Sequence, residues 1–319
     1  MSPPPAADAA ARRLAFAQLL VGAAIIGTNG LMVRFADTPP TVSAFWRMFL
    51  SGILLALLVH FRHGWQPLSR KAWLWIALPS VAFAADLWMW HRSILIVGPG
   101  LSTLLANAQV FFMALAGVMF FGERLTPRFV FGVGLAFFGL WLLLGGDWAT
   151  LPEEYRWGVW LGLATGIAYA AYNIGIKRSQ AEAALGAKRA PVEQVLCLAS
   201  FGSAFFLGLM GVAEGASFAI PSWRSFAILL TLAGIGHCLS WILISRSIAV
   251  LSVGMVGLLL LFQPMVAYLL DVILLDHPTN PRQWAGLGVT LAGIFVAGLK
   301  TRLQPAKGWK PGATQANDD

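Results

Sequence analysis

The chain has 319 residues, of which 58% are hydrophobic and 11% are charged, and its mean hydropathy is +0.72. A soluble globular chain carries about 25% charged residues, so this composition excludes a soluble domain and indicates a membrane protein. The net charge of +8 does not indicate a nucleic-acid partner, because the basic residues stand at the ends of apolar segments. Cys197 and Cys238 lie in apolar segments without a CxxC or Cys/His cluster, so we expect no metal site and no cofactor.

Ten apolar segments predict an all-α integral membrane protein with ten transmembrane helices. A helical span needs about 20 mainly apolar residues, and lipid offers no partners for free backbone groups. The first apolar run follows Arg12-Arg13 without a convincing cleavage site, which favours a retained span. The predicted spans are residues 14–35, 42–61, 72–95, 101–121, 128–145, 157–178, 192–213, 224–246, 252–275 and 282–300.

The second half of the sequence repeats the first. The segment Arg92-Ser93-Ile94 recurs as Arg246-Ser247-Ile248, and at the same offset Gln109 matches Gln263. Five spans in each copy place the second copy upside down relative to the first, and inverted repeats of this kind build alternating-access transporters. The predicted parts are an N-terminal tail (1–13), a first five-helix repeat (14–146), an extracytoplasmic connection (147–156), a second, inverted five-helix repeat (157–301) and a C-terminal tail (302–319).

The distribution of charge predicts the orientation. With the N-terminus inside, most Lys and Arg residues fall at the inner ends of the spans, and the outer loops carry acidic residues such as Asp37, Asp147 and Glu214. Cytoplasmic loops are expected to carry the excess of Lys and Arg. We therefore expect both termini to be cytoplasmic, in a bacterial inner (plasma) membrane.

Several short segments carry a resemblance that covers nearly the whole chain. They are Phe45-Trp46-Arg47, Gly122-Glu123-Arg124-Leu125-Thr126, Gly132 and Gly139 in the first copy, and Gln263-Pro264, Gly286 and Gly293 in the second. With these segments the chain resembles the EamA-type branch of the drug/metabolite transporter superfamily. The resemblance implies a ten-helix, two-repeat exporter of small metabolites, with amino acids often among them.

Ionisable residues inside spans are candidates for function, because each costs about 2.5–3.5 kcal/mol on insertion scales. Asp86 lies near the middle of predicted span 3. It is either a proton site or counter-charge for a cationic substrate group, or one half of a fixed ion pair with Arg47 of span 2. Both roles are compatible if the pair breaks during transport.

The symmetry extends this candidate site to span 8. At helical spacing His237, Ser240 and Trp241 share one face, which corresponds to the face of span 3 that carries Asp86 and Trp90. His237 is alternatively a core histidine. The predicted substrate-binding residues are Asp86, Trp90, Gln109, Tyr169, Tyr172, Asn173, His237, Ser240, Trp241 and Gln263.

Three further expectations concern polar and kinked positions in the spans. Gln109 and Gln263 bond either to each other or to a substrate. Asn173 serves either close helix packing or the cavity. Pro264 removes a backbone hydrogen bond and is expected to kink its helix at the cavity.

The leading function is a secondary active transporter that exports amino acids or similar amphipathic solutes by alternating access around a central cavity. No GxxxxGK[ST], HExxH or GxSxG motif occurs, so we expect neither ATP hydrolysis nor another enzyme activity. The expected partners are a small-molecule substrate, protons and membrane lipid, and the sequence leaves monomer and homodimer open. Two alternatives are an exchanger of phosphate esters or nucleotide sugars using Arg47, Lys177 and Arg178, and a structural or sensory membrane protein without transport.

Overall fold

The computed structural model describes residues 5–109, 111–112, 115, 127–144, 148–183, 190–248, 259–260, 262–276 and 279–298. These residues form helices and connecting turns, and no strand occurs among them. The α-helices are α1 (Pro5–Phe35), α2 (Pro40–Arg62), α3 (Arg70–Val97), α4 (Pro99–Ala106), α5 (Pro127–Leu144), α6 (Glu153–Ala183), α7 (Val192–Ala213), α8 (Trp223–Thr231), α9 (Ser240–Ile248), α10 (Phe262–Leu274) and α11 (Pro281–Gly298). A short 3-10 helix (Trp148–Thr150) precedes α6, and a π helix (Leu232–Leu239) joins α8 to α9.

Six helical stretches in the described part of the chain are long and apolar enough to cross a membrane. They are Arg13–Phe35, Pro40–Arg62, Arg70–Val97, Glu153–Ala183, Val192–Ala213 and Trp223–Ser247, and shorter apolar helices cover Pro127–Leu142 and Phe262–Leu274. The prediction of an all-helical membrane protein is therefore confirmed. The predicted spans 101–121 and 252–275 lie partly outside the described residues, so the ten-helix count stays a prediction.

The predicted span at 101–121 does not continue as one straight helix from its start. Helix α4 ends at Ala106, and a turn follows at Asn107 and Ala108. The Asn107 side chain explains the interruption, because its Nδ2 donates to the Thr103 carbonyl at 2.8 Å. Asparagine side chains compete in this way with the backbone bonds of a helix. The turn packs closely against α6 at Gly166, where an added Cβ would stand 3.0 Å from the backbone nitrogen of Gln109.

The predicted span at 224–246 also departs from a regular α-helix. Its centre is the π helix, in which hydrogen bonds reach from residue i to i+5, and π turns are frequent at functional sites. Asn29 of α1 packs against this segment, and its Nδ2 donates to the Gly236 carbonyl at 2.9 Å. The changed helical period alters which side chains share a face of this span.

Helices α5 and α11 pack against each other along small residues. An added Cβ on Gly139 of α5 would stand 2.7 Å from the Gly286 carbonyl of α11, and one on Gly293 would stand 2.7 Å from the Gly132 carbonyl. Thr290 reinforces the contact, because its hydroxyl reaches the Ala136 carbonyl at 3.5 Å. Small residues permit such close approach of membrane helices. The contact between α5 and α11 forms a seam between the two halves of the sequence.

A tight joint links α3, α4 and α10. Gly98 ends α3 with φ 89° and ψ 157°, a backbone region that is essentially restricted to glycine. Asp271 of α10, which the sequence analysis did not single out, is buried beside it and accepts a hydrogen bond from the Gly100 backbone nitrogen at 3.2 Å. The joint therefore needs both the conformational freedom of Gly98 and the space that its missing Cβ leaves.

We expect Gly98→Ala to destabilise the protein by about 1–3 kcal/mol, the range for a strained backbone position. The added Cβ would also stand 2.9 Å from Asp271 Oδ2. Thermal unfolding in detergent measures the effect. Gly134→Ala is the matched control, because that glycine is exposed within α5 and nothing lies within 4 Å of its added Cβ. Equal unfolding midpoints for the two variants would contradict the expectation.

Candidate functional site

A cavity of about 40 Å³ lies between the helices near the centre of the bundle. One water needs roughly 10–15 Å³ measured in the same way, so the cavity admits a few waters in this conformation. It is lined by residues from α1, α2, α3, α4, α6, α9 and α10 and by Asn107 after α4. These are Ile26, Arg47, Phe83, Asp86, Leu87, Trp90, Thr103, Ala106, Asn107, Thr165, Tyr169, Trp241 and Gln263.

The cationic wall of the cavity is Arg47 of α2, whose surface is only 3% exposed. Its Cζ atom lies 5.9 Å from the ring centroid of Phe83 and 5.7 Å from that of Trp90. Both distances fall within the range of cation–π attraction. In the described part of the chain, its Nε and Nη1 atoms have no hydrogen-bond partner. The guanidinium is therefore held by aromatic rings and keeps unused donors.

The anionic wall is Asp86 of α3, one helical turn before Trp90 and 5% exposed. Among the described residues, no nitrogen of Arg47 lies within 4.0 Å of an oxygen of Asp86. The two residues share a cavity without forming the direct ion pair that the sequence suggested as one alternative. Whether Asp86 couples transport to protons stays a prediction.

Aromatic side chains close one side of the cavity. Phe83 stacks on Tyr172 with ring centroids 4.1 Å apart, and Trp241 meets Tyr172 edge-on at 5.0 Å. Tyr169 lies edge-on to Trp241 at 6.1 Å. Such pairs favour offset or edge-on geometry and bury large apolar areas. The cavity therefore combines two opposite charges with an apolar, aromatic wall.

The structure brings half of the predicted substrate-binding residues together. Those that line the cavity are Asp86, Trp90, Tyr169, Trp241 and Gln263. Those that do not line it are Gln109, Tyr172, Asn173, His237 and Ser240. Tyr172 lies directly behind the aromatic wall, because it contacts both Phe83 and Trp241. The role of each residue in binding stays a prediction.

His237 and Ser240 are buried and do not line the cavity, but the His237 ring lies 5.5 Å from that of Phe83 and 6.3 Å from that of Trp241. Ser240 donates to the carbonyls of Gly236 and His237, at 2.7 Å and 3.1 Å, and His237 Nε2 lies 3.4 Å from the Ser200 hydroxyl. The helical face that groups both residues with Trp241 assumes an α-helix, and the π helix breaks that spacing. Of the three residues on the predicted face, only Trp241 lines the cavity.

Gln109 bonds to Asn173 instead of to its symmetry mate Gln263. Asn173 Nδ2 donates to Gln109 Oε1 at 3.0 Å and to the Tyr169 carbonyl at 2.8 Å. This link joins α6 to the segment after α4 behind the cavity. Pro264 is buried in α10. Residue 261 lies outside the described residues, so the kink stays a prediction.

Sequence analysis missed two polar groups of the cavity. Thr103 Oγ1 and Asn107 Oδ1 are buried at its edge without a hydrogen-bond partner in the described part of the chain. Their spacing of four residues in an apolar run was the available signal, because it places both on one helical face.

A network of side chains closes the end of the bundle at which α2 begins and α3 ends. We call it the latch, and it consists of Thr41, Trp88, Arg92 and Glu214. Arg92 Nη2 lies 2.6 Å from Glu214 Oε1, and its Cζ lies 4.1 Å from the Trp88 ring centroid. Trp88 Nε1 and the Thr41 hydroxyl donate to Glu214 at 2.7 Å and 2.6 Å. The latch joins α2, α3 and the end of α7.

The opposite end of the bundle has its own contacts. Glu193 at the start of α7 lies 3.3 Å from Arg246 of α9. Gln194 binds the backbone of Gln66 twice, by donating to its carbonyl at 2.7 Å and accepting from its nitrogen at 3.0 Å. The cavity therefore lies between two polar closures.

Within the described ranges, no three His, Cys, Asp or Glu residues are grouped so that they could hold a metal ion. Cys197 and Cys238 are both buried, reduced thiols on α7 and the π helix.

The long apolar helices and the buried charged residues between them are those of a membrane protein. A family model described as the EamA-like transporter family matches residues 13–145 and 156–299. The chain belongs to this family of membrane transporters, which confirms the resemblance seen in the sequence.

Two individual proteins illustrate the likeness. The chain is 28% identical over 252 residues to the chloramphenicol-sensitive protein RarD of Pseudomonas aeruginosa. The aligned region covers 77% of this chain and 76% of RarD. A solved crystal structure of another protein matches with a TM-score of 0.62 at 18% identity, over 89% of this chain and 96% of the other. At that identity the likeness shows a shared fold alone.

The latch predicts a pH-dependent contribution to stability. Burial alone would raise the pKa of the Glu214 carboxyl, but hydrogen bonds from Thr41 and Trp88 and the charge of Arg92 outweigh it and lower the pKa below 4.5. A lowered folded-state pKa means stabilisation that is present above the ordinary value and lost as the pH falls through the lowered one. We therefore expect Glu214→Gln to lower the unfolding midpoint at neutral pH, with a difference from wild type that vanishes in acid.

Thermal unfolding in detergent from about pH 7 to about pH 3.5 measures this difference across the titration of the carboxyl. Glu182→Gln, on a different helix, is the control variant. A difference between wild type and Glu214→Gln that stays constant with pH would contradict the assignment.

Proposed function

We propose that this chain is a secondary active transporter that exports amino acids or similar small amphipathic metabolites by alternating access around the central cavity. The observation that carries the proposal is that Arg47 and Asp86, two buried residues of opposite charge, line one cavity without an ion pair within 4.0 Å among the described residues. Buried charges in a membrane protein are costly and mark substrate or ion pathways. A scaffold or sensor without transport has no use for two such charges.

The proposed architecture is ten helices in two inverted repeats. The two separate ranges of the family match, 13–145 and 156–299, support this division, and so does the α5–α11 seam between the halves. The excess of basic residues at the predicted inner ends supports a bacterial inner membrane location with both termini cytoplasmic. The cavity lies between residues of both halves, which is where inverted-repeat transporters hold substrate.

Alternating access requires that the two ends of the bundle open in turn. The latch and the Glu193–Arg246 and Gln66–Gln194 contacts provide one closure at each end. The cavity of about 40 Å³ is too small for an amino acid, so the helices around it must separate to admit one. Proton movement through Asp86 is the proposed source of coupling.

The cavity favours small amphipathic solutes over phosphate esters or nucleotide sugars. Arg47 is the only cationic residue among those that line it, and Asp86 in the same cavity would repel a doubly charged phosphate. Arg178 lies elsewhere, with its Cζ 6.0 Å from the ring centroid of Trp75.

We expect Asp86→Asn to abolish coupled transport while the protein still folds. The substitution keeps the shape of the side chain but removes its charge and its ability to carry a transferable proton. Transport driven by a proton gradient in proteoliposomes, with a panel of labelled amino acids, polyamines, purines and sugar phosphates, should show a loss of at least about tenfold, or 1.4 kcal/mol. Asp37→Asn is the matched control, because Asp37 is exposed and asparagine tolerates its φ of 50°. Normal transport by Asp86→Asn at every pH would contradict the role of Asp86.

Weakening the latch should make the cavity more accessible from the end of the bundle at which the latch lies. In a Cys197→Ala and Cys238→Ala background, a reporter Thr103→Cys would be modified by a membrane-impermeant maleimide added to intact cells. We expect Arg92→Gln to speed the modification about two- to fivefold, because a partly exposed ion pair contributes up to about 1 kcal/mol. Arg246→Gln, at the opposite end, is the control and should not speed it. Equal rates in wild type and Arg92→Gln would contradict the gating role.

A further inference from the structure

The buried guanidinium of Arg47 has hydrogen-bond donors that no other described residue uses. It is 3% exposed, lies against two aromatic rings, and faces a cavity with Nε and Nη1 unpartnered in the described residues. Leaving a buried charged donor without a partner carries a larger penalty than an unmade neutral hydrogen bond. A group that enters the cavity can therefore take these bonds.

A second unused donor lines the same wall. Trp90 Nε1 is buried and has no hydrogen-bond partner among the residues described, and the Arg47 Cζ atom lies 5.7 Å from the Trp90 ring centroid. A buried indole N–H normally finds an acceptor. Two adjacent side chains that line one cavity therefore carry three donor nitrogens without partners in the described residues, and none of them finds its acceptor in Asp86.

These donors fit a planar, negatively charged oxygen pair. The guanidinium presents its N–H groups in a rigid fork that matches a carboxylate, and charge-assisted bonds of this kind are about twice as strong as neutral ones. We infer that Arg47 and the Trp90 indole N–H form a carboxylate-binding subsite, and that the solute is an organic monocarboxylate with an apolar body. The inference rests on the proposed transport function.

The rest of the cavity fits the other end of such a solute. Phe83, Trp241 and Tyr169 offer aromatic surface to an apolar body. Asp86 offers a place for an ammonium group, so amino acids fall within the class. A zwitterion would also leave the summed charge of the cavity unchanged, because Arg47 and Asp86 already balance each other.

The test compares each carboxylate with its own amide. Purified protein in detergent is heated with L-phenylalanine, L-leucine or 3-phenylpropanoate, and with the matching primary amides, at about 10 mM. At a hundredfold excess over the dissociation constant, a ligand of the folded state stabilises it by mass action, so the unfolding midpoint rises measurably. We expect at least one carboxylate to raise the midpoint and its amide to leave it unchanged.

Three variants locate the subsite. Trp90→Phe keeps an aromatic side chain but replaces the indole by a smaller ring without an N–H, so we expect the dissociation constant of the carboxylate to rise about tenfold, as for one lost bond to a charged group. Trp73→Phe, an exposed tryptophan on the same helix, is the matched control and should bind normally. Arg47→Lys keeps the charge but loses the planar fork, so it should also weaken binding.

Arg47→Gln separates recognition from structure. If Arg47 served mainly as half of a structural pair, its loss would lower the stability of the ligand-free protein, because Asp86 would be left alone. A recognition role predicts instead that Arg47→Gln, made in an Asp86→Asn background so that no charge is left alone, loses the response to 3-phenylpropanoate while its ligand-free midpoint stays near that of Asp86→Asn.

Three results would overturn the inference. They are equal stabilisation by carboxylates and amides, stabilisation by cations alone, and no stabilisation by any of the three carboxylates. Proteoliposome counterflow distinguishes this failure from a failure of the proposed function. Transport of a solute that depends on Asp86 but not on Arg47 would keep the transporter and discard the carboxylate subsite.

Discussion

The rest of the site depends on one arginine that is buried among aromatic rings and lacks an ion-pair partner within 4.0 Å in the described structure. Cation–π contacts with Phe83 and Trp90 make the position of Arg47 tolerable without using its N–H donors. A direct ion pair with Asp86 would have used the hydrogen-bonding groups of both side chains and left none for a solute. Separation of the two charges leaves polar atoms that a solute can satisfy, which is the requirement for reversible binding.

Two interruptions in the helices place the other groups around this arginine. The turn after α4 brings Asn107 to the cavity and lets α6 approach at Gly166. The π helix before α9 carries His237, whose ring contacts Phe83 and Trp241 in the cavity wall. Irregular backbone within membrane helices is tolerated where it is buried in protein or lines a cavity. Both irregularities lie beside the cavity, and the latch and the opposite closure lie beyond it.

The sequence predicted the helical membrane architecture and the family well, because hydropathy and short motifs report them directly. It also identified Arg47, Asp86, Trp90 and Trp241, because ionisable and indole side chains are conspicuous inside apolar spans. It grouped His237 and Ser240 with Trp241, but only Trp241 lines the cavity, and the pattern does not encode the π helix that precedes them; their role in binding stays a prediction. It also missed the partner of Gln109, since the symmetry suggested Gln263 and packing selected Asn173. The latch and Asp271 depend on contacts between distant segments, which no local pattern reveals.

The most direct test of the account is an experimental structure of the protein with a bromine-labelled aromatic amino acid, such as 4-bromophenylalanine. The account predicts a single anomalous peak in the enlarged central cavity, close to the rings of Phe83 and Trp241. It also predicts that the carboxylate of the ligand lies within hydrogen-bond distance of the Arg47 guanidinium and Trp90 Nε1. An ordered ligand bound elsewhere, or one whose carboxylate points away from Arg47, would contradict the account.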